Sequence, residues 1–202
     1  MSPAVPALAV VAVLGALLPL GSAKADPFPL PIPPIPLPPI LQQDCSTANE
    51  PIVPTSVEVE DLSDEIPVVA LRRKRSDVPG TPPTTKAGRW VMAFDLDSGI
   101  RPGARTGNAL FNAHTWPDGS ALGNALLREL HEGESIVVSS DEGRFCYEVS
   151  QRVEVRANSR EAAERYFARG GPHQIAIVVC SGKRLGPGKW THRTIWYASP
   201  VR

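Results

Sequence analysis

Three side chains of this 202-residue chain have the types that thiol chemistry requires, and each closes or opens an apolar run. Cys180 ends QIAIVVC, Arg193 opens RTIWYA and His114 ends ALFNAH. A cysteine attacks only as its thiolate, so it needs a partner that favours ionisation and donors that hold the oxyanion it creates. If the Cys180 and Arg193 runs are neighbouring strands, thiol and guanidinium meet at one rim. Positive charge there favours the thiolate and supplies hydrogen bonds to developing negative charge. His114 is then the acid that protonates a leaving amine. Taken singly, each residue has a plainer role: a packed Cys, a polar strand-end His, a solvated Arg. Their joint placement is what points to chemistry. His192 adjoins Arg193, and strand alternation turns it to the opposite face, so it is not assigned the acid role. His131 and His173 fall in loop contexts and read as solvated.

The elements that must position these residues are mostly short strands. TSVEVE (55–60) alternates, and IPVVAL (66–71), RWVMAFD (89–95) and NALFNAH (108–114) follow. SIVVSS (135–140) and RFCYEVSQRVEVRA (144–157) are divided by an Asp-Glu-Gly turn, and QIAIVVC and RTIWYA complete the set with a loop between them. Some eight strands punctuated by Gly/Pro turns argue for a mainly β chain closed as a barrel or stacked as a sandwich. Two short helices interrupt it. Leu122, Leu126 and Leu130 share one helical face, with Gly133 as a stop. In ANSREAAERYFARGG, Asn158 is the expected N-cap with Glu161 three residues on, and Gly170-Gly171 ends the helix.

Ahead of this lie two segments of other character. Residues 1–23 carry no charged side chain, and an apolar core (Ala7 to Leu20) runs into Ala23-Lys24-Ala25. This is expected to be a signal peptide or an N-terminal membrane anchor over residues 1–25. Residues 26–51 begin DPFPLPIPPIPLPPIL, where proline removes amide donors and fixes φ, so an extended polyproline spacer is expected. The folded domain is then residues 52–202, exported or held at the cell envelope. The charge balance is even, 21 basic against 21 acidic residues, which gives no electrostatic case for nucleic acid. Three cysteines outside the cytoplasm leave at least one unpaired thiol. Cys146 is either packed or paired with Cys45, and the second choice leaves Cys180 as the free one. No CxxC pair and no acidic cluster occurs, Asp95, Asp97 and Asp118 being scattered, so neither a metal nor a cofactor is expected.

The Cys-bearing strand, the 12-residue loop and the Arg-opening last strand together resemble the end of a sortase domain. GNALFNAHTWPDGSALGNALLRELHEGESIVV resembles the sortase stretch that delivers the catalytic His, and PTSVEVEDLSDEIPVVAL resembles the opening strands. The likeness runs over about residues 52–202 and is nearest to short actinobacterial class E/F chains. It implies an eight-stranded β-barrel and a cysteine transpeptidase. Such an enzyme cleaves a C-terminal sorting motif between Thr and Gly through a thioacyl intermediate and passes the acyl group to a cell-wall amine or water. The resemblance assigns Cys180 as nucleophile, His114 as acid/base and Arg193 as oxyanion or substrate stabiliser. The helix from Ser159 to Arg169 takes the place of a groove wall, and Trp116 and Trp190 flank the catalytic loops as aromatic walls for an extended peptide. Two departures stand out: Val179 occupies the position of a Thr that serves the oxyanion region or substrate, and Ala113 that of a Gly. The implied partners are a sorting-signal peptide and a peptidoglycan precursor or other amine, with the chain expected as a monomer. Against this enzyme stand a catalytically degenerate peptide-binding module and a structural barrel on a proline stalk.

Overall fold

The structure, a computed structural model, describes residues 45–74 and 78–201; the apolar leader and the proline tract up to residue 44 lie outside the described residues. The order is β1 (Ser56–Val59), β2 (Ser63–Leu71), β3 (Met92–Asp95), β4 (Asn108–Ala113), α1 (Leu122–Glu129), β5 (Ser135–Ser140), β6 (Gly143–Arg156), α2 (Arg160–Tyr166), β7 (Gln174–Gly186) and β8 (Lys189–Pro200). The strands close a barrel in the order β1-β2-β3-β4-β7-β8-β6-β5. The pairs β2/β3 and β4/β7 are parallel and the others antiparallel. The eight-stranded, mainly β architecture with two helices is therefore the one that the strand pattern and the family resemblance imply.

Side-chain alternation divides the apolar residues into two sets. Ala109, Phe111 and Ala113 of β4, Ile175, Ile177 and Val179 of β7, and Trp196 and Ala198 of β8 join residues from every other strand in the lumen. The leucines of α1, Leu122 and Leu126, and Leu130 just beyond it, belong to the same cluster, and the Trp196 indole donates to the Leu130 carbonyl at 2.9 Å. An eight-residue helix is marginal alone, but each buried Leu contributes about 1.5–3 kcal/mol. The intervening residues face outward: Leu110, Val178, Ile195 and Tyr197 form a second cluster with Ala162, Tyr166 and Phe167 of α2 and its C-cap. Thus α2 covers the outer face of β4, β7 and β8.

Three local expectations change. The stretch 181–192 is not a loop but the far half of a hairpin: β7 continues to Gly186 and β8 begins at Lys189, with register shifts between Ser181 and Gly186. Pro187 and Gly188, the latter at φ 64°, make the two-residue turn, and glycines at 182, 186 and 188 hide the strand pattern. Ser159, not Asn158, caps α2, its hydroxyl accepting from the Ala162 amide at 3.0 Å. Asn158 instead holds a left-handed φ of 59°, which Asn tolerates better than most residues. His173 is buried rather than solvated, its ring bonded to the Tyr147 hydroxyl and facing the Gly107 carbonyl. His131 is exposed and paired with Glu134.

Cys45 and Cys146 form a disulfide and Cys180 is free. The Thr47 and Ala48 amides add bonds to the Arg144 carbonyl, so residues 45–48 are tied to β6.

Candidate active site

The floor of the site follows from period-two alternation. Leu110 and Asn112 point outward on β4, and His114, the next residue but one, continues that face. On β7 the outward set runs Ala176, Val178, Cys180; on β8 it runs Tyr197, Ile195, Arg193. Cys180 and Arg193 are direct register partners across the antiparallel β7/β8 pair. Ala113 pairs with Val179 across the parallel β4/β7 pair, so the chain delivers His114 beside Cys180. All three candidate residues line one cavity of about 690 Å³ on the outside of the barrel. Trp116 and Trp190 also line it, at two of its walls. Val179 touches this cavity too, yet it is 1% exposed and its side chain belongs to the lumen cluster. His192 bonds to Thr191 and is not part of the lining.

Around His114 the backbone is clamped by α1. The Gly123 amide donates to the His114 carbonyl at 2.8 Å. Asn124 holds Trp116 at both ends, accepting from its amide at 2.8 Å and donating to its carbonyl at 3.1 Å. Thr115 turns inward, only 8% exposed, and its hydroxyl donates to the Cys180 carbonyl at 2.7 Å. The strand that carries the imidazole and the one that carries the thiol are thus tied directly together.

Two more segments close the cavity. The connection from β2 to β3 passes over it: Asn112 donates to the Gly80 carbonyl at 2.8 Å, and His114 Nε2 lies 2.7 Å from the Pro82 carbonyl. A carbonyl can only accept, so Nε2 carries the proton. On the other side stands α2, with Tyr166 and Phe167 in the lining. Arg73 braces this wall, its guanidinium 4.1 Å from the Phe167 ring and paired with buried Asp95 at 2.6 Å.

The electrostatics oppose one another at the sulfur. Burial pushes the Cys180 thiol up, and the Arg193 charge draws it back down. Arg193 places one donor, Nη1, on the His192 carbonyl at 2.8 Å. Burial also pushes the Tyr166 phenol up to about 12; the charge of Arg193 works against that rise and the charge of Cys180 adds to it. Tyr166, Thr115, Asn124 and Pro82 are the contributors that sequence reasoning passed over. Tyr166 appears in the sequence only as one of two apolar i,i+4 partners on α2, and a carbonyl such as that of Pro82 leaves no sign in side-chain pattern.

A sequence model of the sortase domain matches residues 57–201. No curated protein sequence matches the chain. Among solved structures, sortase C1 of Streptococcus agalactiae in complex with MTSET aligns with a TM-score of 0.53 and 14% identity, covering 73% of this chain and 66% of that one, so the chain spans just under two thirds of its length. Sortase C1 from Streptococcus suis aligns at 0.54 and 15%, covering 74% and 73%. Sortase C from Clostridium perfringens SM101 aligns at 0.53 and 11%, covering 78% and 73%. At these identities the structures establish the fold alone, while the domain match extends from β1 to the end of β8, and by that match the chain belongs to the sortase family.

Proposed function

We propose that this chain is a sortase-type cysteine transpeptidase whose nucleophile is Cys180. Sortases are a family of such transpeptidases, and the observation that carries the assignment to these residues is their convergence. Cys180 and Arg193 are register partners, His114 follows the Ala113–Val179 pair, and all three line one cavity on the outer sheet face. In the proposed reaction the Cys180 thiolate adds to the carbonyl carbon of a Thr-Gly peptide bond. The C–S bond forms as the carbonyl π pair moves to oxygen, and Arg193 stabilises that oxyanion. Collapse breaks the C–N bond, and the leaving amine takes its proton from His114. An incoming amine of the cell wall, or water, reverses the sequence: it gives a proton to His114, forms the new acyl bond and expels the thiolate. No cofactor enters the scheme.

The substrate is an extended sorting peptide on an exported protein, and the Trp116 and Trp190 walls suit it. An extracytoplasmic setting is supported by the Cys45–Cys146 disulfide, a bond that persists in oxidising compartments.

A second reading, a peptide-binding barrel without turnover, is favoured by two observations. The His114 ring is engaged by the Pro82 carbonyl, and burial raises the Cys180 thiol. One experiment separates them. Full-length protein is incubated with a pool of fluorogenic peptides containing a Thr-Gly junction, beside Cys180→Ala, His114→Ala and Arg193→Gln. The enzyme reading expects cleavage and a thioacyl mass adduct in the wild type, with loss of about 1,000-fold or more in Cys180→Ala. Binding without cleavage, or cleavage undiminished in Cys180→Ala, refutes it.

A further inference from the structure

Arg193 is the one side-chain donor group so far assigned to the oxyanion. Val179, the residue before the nucleophile, packs its side chain in the lumen and presents nothing to the site. Arg193 has one guanidinium nitrogen already committed to the His192 carbonyl. A hydroxyl from elsewhere could complete the set, and Tyr166 offers one. It is the last residue of α2, and α2 is anchored over the outer sheet face by Ala162, which is 1% exposed. The Tyr166 ring packs against the Leu110–Val178–Ile195 cluster and stands edge-on to Phe167 at 6.0 Å, which leaves it little freedom to turn. It shares the lining of the one cavity with Cys180, His114 and Arg193. Among the described residues nothing hydrogen-bonds its hydroxyl, in contrast to Tyr147 and Tyr197, whose hydroxyls are both engaged. A phenol in the same cavity lining as the reacting thiol, electrostatically coupled to it and without a hydrogen-bond partner among the described residues, is free for a partner that arrives with the substrate.

We propose that Tyr166 is a further catalytic residue, whose hydroxyl donates a hydrogen bond to the oxyanion formed when Cys180 attacks the substrate carbonyl. The inference rests on the transpeptidase reading above. The phenol gives no proton away: the thiolate brings the electron pair, the carbonyl oxygen takes the negative charge, and Tyr166 and Arg193 share its stabilisation until the C–N bond breaks. The role demands a phenol that stays protonated at neutral pH. Its burial and the thiolate nearby both favour that form, holding its ionisation up at about 12. A donor used only in the transition state lowers the barrier without tightening substrate binding.

The test uses full-length protein and a cleaved Thr-Gly peptide from the fluorogenic pool. Tyr166→Phe keeps the ring and removes the donor, and kcat is expected to fall about 100-fold, the effect of losing one oxyanion donor, with KM within about twofold of wild type. Replacing Tyr166 by 3,5-difluorotyrosine keeps ring and hydroxyl, so at neutral pH its kcat is expected to stay within about threefold of wild type while Tyr166→Phe falls, a split that a packing role would not give. Wild-type kcat in Tyr166→Phe, a rise in KM alone, or a fluorotyrosine variant as slow as Tyr166→Phe overturns the inference and leaves the transpeptidase reading standing. A wild type that cleaves no peptide at Cys180 overturns both.

Discussion

Replacing Gly123 by Ala sets helix propensity against active-site geometry. Gly123 is the second residue of α1, and by propensity alone Ala there should stabilise the helix by up to about 1 kcal/mol. A Cβ at this position, however, would lie 2.5 Å from the His114 carbonyl oxygen, 2.8 Å from Thr115 Oγ1 and 2.9 Å from the His114 carbonyl carbon. An ordinary contact begins at 3.4 Å, so one partner must retreat by about 0.9 Å. The helix is held by Leu122, Leu126 and Leu130, all 0% exposed, and by the two Asn124–Trp116 bonds, so the strain falls largely on the His114–Thr115 backbone. Overpacking of this kind costs about 1–3 kcal/mol, which outweighs the propensity gain. Net destabilisation of up to about 2 kcal/mol lowers Tm by up to about 8 °C in a domain of this size. The larger effect is on rate. Moving His114 by nearly an ångström and loosening the Thr115 bond to the Cys180 carbonyl should cost about 100-fold in kcat. Both quantities come from one preparation, by thermal melting and by fluorogenic peptide turnover. A Gly123→Ala protein with a raised Tm and wild-type kcat would show that contact with α1 does not position His114.

Two further outcomes are expected. Cys45→Ser opens a cross-link spanning 101 residues and leaves the buried Cys146 thiol in place. The chain-entropy estimate for such a loop is about 4.7 kcal/mol, and about 2–4 kcal/mol is expected in urea titrations; an unchanged midpoint would mean that the bond constrains nothing. Burial holds His173 below its ordinary value of 6.5, so the unfolded chain binds the more protons just below that pH. Stability is then complete above about pH 6.5 and falls as pH drops toward the lower folded value. His173→Gln should flatten that decline when urea midpoints are compared at pH 7.5 and 5.5, and an equally steep decline in the variant would refute it.

What the sequence disclosed was whatever alternation encodes. The period-two runs of β4, β7 and β8 are short and clean, so the placement of His114, Cys180 and Arg193 on a shared face could be read from them. The hairpin beyond Cys180 could not, because its register shifts and its glycines at 182, 186 and 188 erase the pattern. His173 reads as solvated because it follows Gly170-Gly171-Pro172, a turn-forming run. Its burial is imposed by Tyr147 and Gly103, which are distant in sequence. The aromatic pair on and after α2 looks like ordinary packing, and for Phe167 over Arg73 that is what it is. For Tyr166 the same pattern conceals a hydroxyl, since an amphipathic stripe says which face a ring takes but not what its polar end meets.

The departure at Val179 looks different once side-chain direction is known. A Thr there would turn its hydroxyl toward a lumen filled by Phe111, Ile177, Trp196 and other apolar side chains, and an unpartnered buried hydroxyl costs about 1–3 kcal/mol. Valine at this place therefore suits the barrel and costs the site no donor, because a side chain here faces the lumen. The floor of the cavity is fixed by strand registers, whereas its walls come from α2, the β2–β3 connection and the far end of the hairpin. A donor carried on a wall, as proposed for Tyr166, can change without disturbing the barrel. That separation is how a catalytic floor stays constant while recognition varies.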